Sequence, residues 1–248
     1  MSVFDKRVAG IEKLTLLDFP GKVACILFYN GCRTCKCPYC YNKDLWKGDV
    51  SLANPTNDVV RFLESRAGKV EGVVFSGGEC TLWGDSLVED IKWCKGRGFA
   101  IKVDTNGTNP LLVERLATEG LVDYVALDIK CPESKWKSFY CSRKLYDAFQ
   151  KTLDLLLKGN IPFETRTTVH PDFITEEDAS EIFRNLKILG YGGTHYLQFF
   201  FNSGNTSYLD PDINVDPRPF NLGKLDTSGI AVGLRNANGN TIGEIPAS

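Results

Sequence analysis

The sequence predicts an α/β protein: an open, partial (β/α)6 barrel with an N-terminal extension and an irregular C-terminal segment. Three observations carry this prediction. Short strand-like runs at 23–29, 72–75, 99–103, 122–127, 162–169 and 195–201 alternate with helix-like stretches near 56–66, 84–96, 109–118, 144–158 and 175–188. Such alternation builds parallel βαβ units. Polar motifs stand at the C-terminal ends of these runs, where barrels of this kind keep their functional groups. Six units are too few to close an eightfold barrel, so the sheet stays open.

Taken in order, residues 1–21 read as an extension, a hairpin closed by the turn signal Phe19-Pro20-Gly21. The run at 23–29 reads as a buried strand that feeds directly into a cysteine cluster. The first helix has Asn54-Pro55-Thr56 as its start signal, and the last has Thr175 followed three residues later by Asp178, an opening like a capping box. Residues 22–201 form the barrel. Residues 202–248 are rich in Asn, Gly, Asp and Pro and weakly periodic. They are expected to be irregular, whether covering the barrel mouth, binding a partner or lacking order.

Bulk properties narrow the function classes. Of 248 residues, 43% are hydrophobic and 24% charged, with a net charge of −2. These are values of an ordinary soluble globular protein, and they point to neither a nucleic-acid nor a membrane partner. No segment approaches the roughly 20 apolar residues that span a bilayer. The N-terminus lacks the apolar core of a signal peptide. The cytoplasm is the expected location, and there nine cysteines are thiols or metal ligands rather than disulfides. Cys25, Cys94, Cys131 and Cys141 read as small buried or surface thiols; Cys80 stays open.

The chemistry-bearing motifs begin with Gly31-Cys32-Arg33-Thr34-Cys35-Lys36-Cys37-Pro38-Tyr39-Cys40-Tyr41-Asn42. Four thiols within nine residues select zinc or an iron–sulfur cluster. Taken as C-x2-C-x-C-x2-C, the run would suit a structural zinc site. Cys37-x-x-Cys40 gives two ligands with Pro38 stiffening the turn, and Cys32 or Cys35 would give a third. Ser76-Gly77-Gly78-Glu79 offers glycines that let backbone approach a ligand and an acid able to accept from an ammonium. Asp104, Lys130 and Arg166, near successive strand ends, are suited to hold the ammonium, hydroxyl and carboxylate groups of an amino-acid-like ligand, although each taken singly reads as half of a barrel-rim salt bridge. Asn106 and Gln198 face the same rim. His170, in Val169-His170-Pro171, is a catalytic candidate but reads more readily as a turn histidine.

These motifs together resemble the radical S-adenosylmethionine (SAM) enzymes, and among them the small activating proteins of glycyl-radical enzymes. The resemblance runs from about Gly10 to Gln198. It rests on Leu17-Asp18-Phe19-Pro20-Gly21-Lys22, the Cys-Pro-Tyr-Cys-Tyr-Asn run at 37–42, Ser76-Gly77-Gly78-Glu79, Asp104-Thr105-Asn106-Gly107, the run at 123–130 and Arg166-Thr167-Thr168-Val169-His170-Pro171. It is strongest to the activating proteins of anaerobic ribonucleoside-triphosphate reductase. It implies a [4Fe–4S] cluster on three cysteines, with SAM chelating the open iron. One electron then cleaves SAM, and the 5′-deoxyadenosyl radical takes a hydrogen from a glycine of a partner enzyme. A low-potential donor such as flavodoxin or ferredoxin is implied. By resemblance Cys37 and Cys40 are the second and third cluster ligands, and Tyr39 and Tyr41 lie beside the adenine. Gly77, Gly78 and Glu79 meet the SAM amino group, and Asp104, Lys130 and Arg166 surround SAM.

Two departures stand out. The family spacing is C-x3-C-x2-C, but the position four before Cys37 is Arg33. Cys32 is preferred as the first ligand, because it follows a glycine and one extra loop residue is cheap to absorb; Cys35 is the alternative. Cys80 stands where the family usually has proline. Other readings are a different radical SAM activity, such as pyruvate formate-lyase activation or deazaguanine synthesis, and a non-catalytic zinc protein.

Overall fold

The computed structural model describes residues 3–201, 212–237 and 241–246. Its centre is an eight-stranded sheet. After β1 (Val8–Thr15) come β2 (Ala24–Tyr29), β3 (Gly72–Gly77), β4 (Ala100–Thr105), β5 (Tyr124–Asp128), β6 (Phe163–Val169) and β7 (Thr194–Phe199). The small strands β8 (Phe220–Asn221), β9 (Ala231–Arg235) and β10 (Thr241–Ile242) follow. The large sheet runs β1-β2-β3-β4-β5-β6-β7-β9, while β8 and β10 pair separately. From β2 onward every neighbouring pair is parallel, and β1 is antiparallel to β2. The two end strands do not meet, so the expected open, partial barrel of six βα units is the architecture.

The crossovers between the barrel strands carry α1 (Thr56–Arg66), α2 (Asp85–Lys95), α3 (Pro110–Thr118), α4 (Trp136–Phe139), α5 (Arg143–Lys158) and α6 (Glu176–Ile188). Local chemistry sets several boundaries. Asn109 caps α3 by accepting from Leu112 N–H, with Pro110 in the first turn. Thr175 and Asp178 form the reciprocal capping box that their spacing predicted for α6. In α5, Tyr146, Phe149, Leu153 and Leu156 repeat at helical spacing and are buried.

Strand alternation gives the sheet two different faces. Odd-numbered residues such as Cys25, Leu27, Phe75, Ile101, Val103 and Leu127 join the main core with Leu63, Ile91, Leu116 and Phe183 of the helices. Even-numbered residues face the concave interior. At its N-terminal end Phe19 packs with Ala24, Ile26 and Val74, flanked by Phe28, Ala100 and Tyr124. Phe19 thus plugs the bottom of the barrel. Gly72 makes room for it, since a Cβ there would stand 2.8 Å from the Phe19 ring.

The N-terminal segment is tied down by one buried carboxylate. Asp90 accepts from Phe4 N–H at 2.6 Å, Arg7 Nε at 2.6 Å and Tyr29 hydroxyl at 2.8 Å.

The expectation of an irregular segment from 202 onward needs correction at one place. Residues 231–235 form β9, which extends the sheet beside β7. The run Ala231-Val232-Gly233-Leu234-Arg235 is too short to show a period. Tertiary contacts select the strand: Arg235 makes two 2.9 Å bonds to Glu164 and lies 3.9 Å over the Tyr196 ring. Buried Phe220, Leu222, Leu225 and Ile230 bring 220–230 into the main core. Arg218 grips Glu176, at the start of α6, with two bonds of 2.6 and 2.7 Å. Residues 1–2, 202–211, 238–240 and 247–248, part of the predicted terminal segments, lie outside the described residues. Among the described residues no helix is long and apolar enough to cross a membrane.

Candidate active site

A cleft of about 200 Å3 opens at the C-terminal ends of the parallel strands. Every residue singled out as a cluster or SAM ligand borders it: Cys32, Cys37 and Cys40; Tyr39 and Tyr41; Gly77, Gly78 and Glu79; Asp104, Lys130 and Arg166. Cys35, Asn106 and Gln198 border it too. The shared rim follows from the parallel sheet, which brings successive strand ends to one side.

The cysteine loop is fixed by its backbone. Gly31 N–H donates to Leu45 at 2.7 Å and Cys32 N–H to Trp46 at 3.1 Å. On the other side Lys36 N–H donates to Phe139 at 2.7 Å, and Cys141 N–H to Thr34 at 3.1 Å. Cys35 and Tyr140 form an antiparallel bridge between these two bonds. This short pairing with 139–141 holds the middle of the cysteine loop. Cys40 N–H returns to Cys37 carbonyl at 3.2 Å, closing the turn that Pro38 stiffens.

The thiols differ in their surroundings. Trp46 indole N–H donates to Cys40 Sγ at 3.3 Å. Asn106 Nδ2 lies 3.9 Å from Cys32 Sγ and donates to Thr34 Oγ1 at 2.8 Å, tethering the loop to the end of β4. The Cys35 thiol bonds to Cys37, which with Lys130 nearby favours the Cys37 thiolate despite its burial. Burial pushes the Cys32 thiol up to about 12, helped by Glu79 and Cys37. Among the described residues no three Cys, His, Asp or Glu side chains converge as one bound ion requires. Cys32, Cys35, Cys37 and Cys40 nevertheless all border the cleft, a soft thiolate donor set of the kind an iron–sulfur cluster takes.

The glycines after β3 have a more specific reason than ligand access. Gly77 has φ +109°, and a Cβ on it would stand 2.1 Å from Tyr29 N. A Cβ on Gly78 would stand 2.3 Å from Gly31 carbonyl oxygen. Both residues let the end of β3 lie against the chain entering the cysteine loop, where Gly78 N–H meets Tyr29 carbonyl at 2.8 Å and Glu79 N–H meets Gly31 at 2.6 Å.

Glu79 is buried and already engaged. Its Oε1 accepts from Thr81 Oγ1 at 2.6 Å, Thr105 Oγ1 at 2.8 Å and Thr81 N–H at 3.2 Å; Oε2 accepts from Asn106 N–H at 2.7 Å. Burial holds its carboxyl above the ordinary range, opposed by these donors. The carboxylate therefore clasps the ends of β3 and β4. Cys80, next in sequence, points inward and donates to Phe75 and Asp104 carbonyls at 3.5 Å each. Burial raises this thiol well above its usual range and leaves it unreactive.

Across the cleft the even-numbered face carries charges in alternation: Lys102, Asp104, Arg166, Asp128 and Lys130. Lys102 Nζ is 2.7 Å from Asp104 Oδ1, and Arg166 reaches Asp104 Oδ2 at 3.2 Å while its Nε bonds Asp128. Lys130 Nζ completes the row, 2.8 Å from Asp128 Oδ2. Ser76 hydroxyl adds a 3.0 Å bond to Asp104. Burial alone would raise the carboxyls of Asp104 and Asp128; Arg166, with Lys102 for one and Lys130 for the other, holds both below the ordinary range. Three cations against two anions leave the row with one positive charge, a complement for a ligand carboxylate.

Tyr39 is buried among Phe139, Phe173 and His170, with its edge on the cleft. Tyr41 stacks on Phe200 at 5.4 Å and donates to Phe201 carbonyl. His170 does not border the cleft. It is fully buried, and its Nε2 is 2.9 Å from Asn214 carbonyl oxygen, which makes it a turn histidine that anchors the C-terminal segment. Asn42, Ser76, Thr105, Asp128 and Thr168 also border the cleft and were not among the predicted ligands. Asn42 and Thr105 stand inside motifs already recognised, and Thr168 follows Arg166 by the two-residue strand period.

Comparisons with known proteins agree with this geometry. The model of the Radical SAM superfamily matches residues 26–202. A Methanocaldococcus jannaschii protein with the provisional name glycyl-radical enzyme activating enzyme MJ1227 is 37% identical over 187 residues, covering 73% of this chain and 75% of that one. The pyruvate formate-lyase-activating enzyme of Clostridium pasteurianum is 32% identical over 128 residues, about half of each chain. Among solved structures, anSMEcpe with bound AdoMet and the Kp18Cys peptide superposes with a TM-score of 0.56 at 16% identity, over 77% of this chain and 53% of that one. At that identity the likeness speaks for the fold.

Proposed function

We infer the reaction from the family: this chain belongs to the radical SAM superfamily, whose members use a [4Fe–4S] cluster and SAM. We propose that it activates a glycyl-radical enzyme, and that its target is an anaerobic ribonucleoside-triphosphate reductase. The observation that carries the activase reading is the single cleft on which the cysteine loop, the Gly-Gly-Glu turn and the charged row converge. The reductase is favoured by the Cys-Tyr-Asn-Lys run at 40–43 with Trp46 close behind. The relatives named as pyruvate formate-lyase activators make that enzyme the second reading.

In this reading Cys32, Cys37 and Cys40 hold the cluster, and Cys35 supports Cys37 from the bridge with Tyr140. When bound, the cluster and SAM supply the one-electron cleavage that yields a hydrogen-abstracting radical. The protein's part is to bind, orient and exclude water. Arg166 and Lys130 offer the positive charge for the SAM carboxylate, between carboxylates that keep both side chains in place. The Gly77–Gly78 turn and the remaining lone pair of Glu79 Oε2 offer acceptors to the amino group. Tyr39 and Tyr41 flank the third cysteine as walls for the adenine.

The test is anaerobic reconstitution, then incubation with SAM, reductant and either candidate target. A glycyl-radical signal in the reductase and none in pyruvate formate-lyase is the expected outcome; the reverse pattern would replace the proposed target. Cys37→Ala and Cys40→Ala should each lose the cluster and SAM cleavage, and full activity in either would sink the assignment.

A further inference from the structure

Behind the cysteine loop, on the side away from the barrel interior, lies a broad, open groove of about 790 Å3. Three of its residues, Cys32, Cys35 and Trp46, also border the catalytic cleft. The loop is therefore a wall one residue thick between cleft and groove. The groove's charged residues are Arg33, Lys36 and Lys47, all exposed, and no carboxylate lines it among the described residues. Arg33 is held there by a 2.9 Å bond from its guanidinium to Lys47 carbonyl oxygen. Among the described residues none of the three is in an ion pair. Three exposed cations side by side, with Asp49 acting on one of them, Lys47, form a positive local field on a chain of net charge −2 that favours an acidic partner.

We propose that this groove is the docking face of an acidic protein that donates one electron, and that the electron enters through the cysteine loop beside Trp46. The inference rests on the cluster assignment above. In the step the donor is oxidised by one electron and the cluster reduced by one; no bond breaks and no proton moves. The groove suits a redox protein better than the glycyl-radical partner, because the radical is generated in the cleft on the opposite side of the wall. Trp46 links the two spaces: it borders both, and its N–H bonds the Cys40 sulfur at 3.3 Å.

The test compares the reconstituted full-length protein with a Lys36→Glu/Lys47→Glu double variant, both side chains being exposed and outside the SAM site. Bleaching of the cluster's visible absorption is followed in stopped flow with two reductants: reduced plant-type ferredoxin as the acidic probe, and the small methyl viologen radical. We expect the second-order rate with ferredoxin to fall at least tenfold at low salt, and the difference to shrink as salt screens it. Viologen should reduce both proteins without slowing. The milder Lys36→Gln/Lys47→Gln variant should fall between them. Equal ferredoxin rates in wild type and charge-reversed protein would overturn the docking face. Equal slowing by both reductants would also overturn it, by placing the effect on the cluster. A wild type that takes up no reducible cluster would remove the underlying assignment and the proposal with it.

Discussion

The two ends of the barrel's concave face are built from opposite materials. At the N-terminal end Phe19, Ala24, Ile26 and Val74 close the interior with apolar surface. At the C-terminal end Lys102, Asp104, Arg166, Asp128 and Lys130 line the same face with buried or half-buried charge. Burying apolar surface stabilises at about 25 cal/mol per Å2. Burying ion pairs, by contrast, commonly gives no net gain over well-packed apolar residues. One end of this face thus adds apolar burial to the fold, while the other presents charged side chains to the cleft and depends on that support.

The sharpest way to break this contrast is to remove the middle charge of the row. Arg166→Leu leaves Asp104 and Asp128 facing each other without their shared partner, and should cost about 3–5 kcal/mol in denaturant unfolding. Its pH dependence is diagnostic. Both carboxyls are depressed in the folded protein, so their contribution is present above their unfolded value of 3.8 and lost as pH falls through the folded values. Without Arg166 the folded values rise, and acid unfolding should begin at higher pH. An unchanged acid limb would mean that the row is not electrostatically coupled.

Phe19→Ala tests the other end. It should cost about 3 kcal/mol, the low end for a buried phenylalanine, because its cluster is small. The loss should be nearly the same at pH 5 and pH 8, since the apolar plug presents no group that titrates there. A pH-dependent loss would show that the two layers communicate.

The smallest effect calibrates both. His195 sits on the outer face of β7 against Phe183, fully buried, and burial pushes its ring down to about 3. The unfolded chain therefore binds a proton first. Stability should be lost as pH falls from 6.5 towards 3, by about 2 kcal/mol between pH 6.5 and 5 at 1.36 kcal/mol per unit. His195→Phe should flatten that limb, and retention of the slope would assign it elsewhere.

Much of this arrangement is legible in the sequence, for physical reasons. Asn54-Pro55-Thr56 placed the start of α1 because a proline sets the chain for a first turn, and Thr175 with Asp178 placed α6 because capping is local chemistry. The strands β2 and β3 were readable because their residues are buried on both faces and stand as apolar runs, and the others because they alternate regularly with helix-like stretches. That the motifs share one rim follows from parallel connectivity alone. Non-local causes were not readable. β9 exists because Arg235 meets Glu164, 71 residues earlier. The need for glycine at 77 and 78 comes from Tyr29 at the end of β2 and Gly31 just beyond it. Glu79 looks from its motif like a free acceptor, yet Thr81, Thr105 and Asn106 have claimed most of its lone pairs. His170 is held by Asn214, across a segment whose pattern announces nothing.

The pairing of Arg235 with Glu164 has a consequence in time. Synthesis runs from the N-terminus at roughly 5–20 residues per second, so about 4–14 s separate the two residues on the ribosome. During that interval Glu164 lacks the two bonds from Arg235, and β7 has a bare hydrogen-bonding edge. The nascent barrel is therefore at its most vulnerable to mispairing just before its final strand arrives. The arginine that ends that interval also covers the edge.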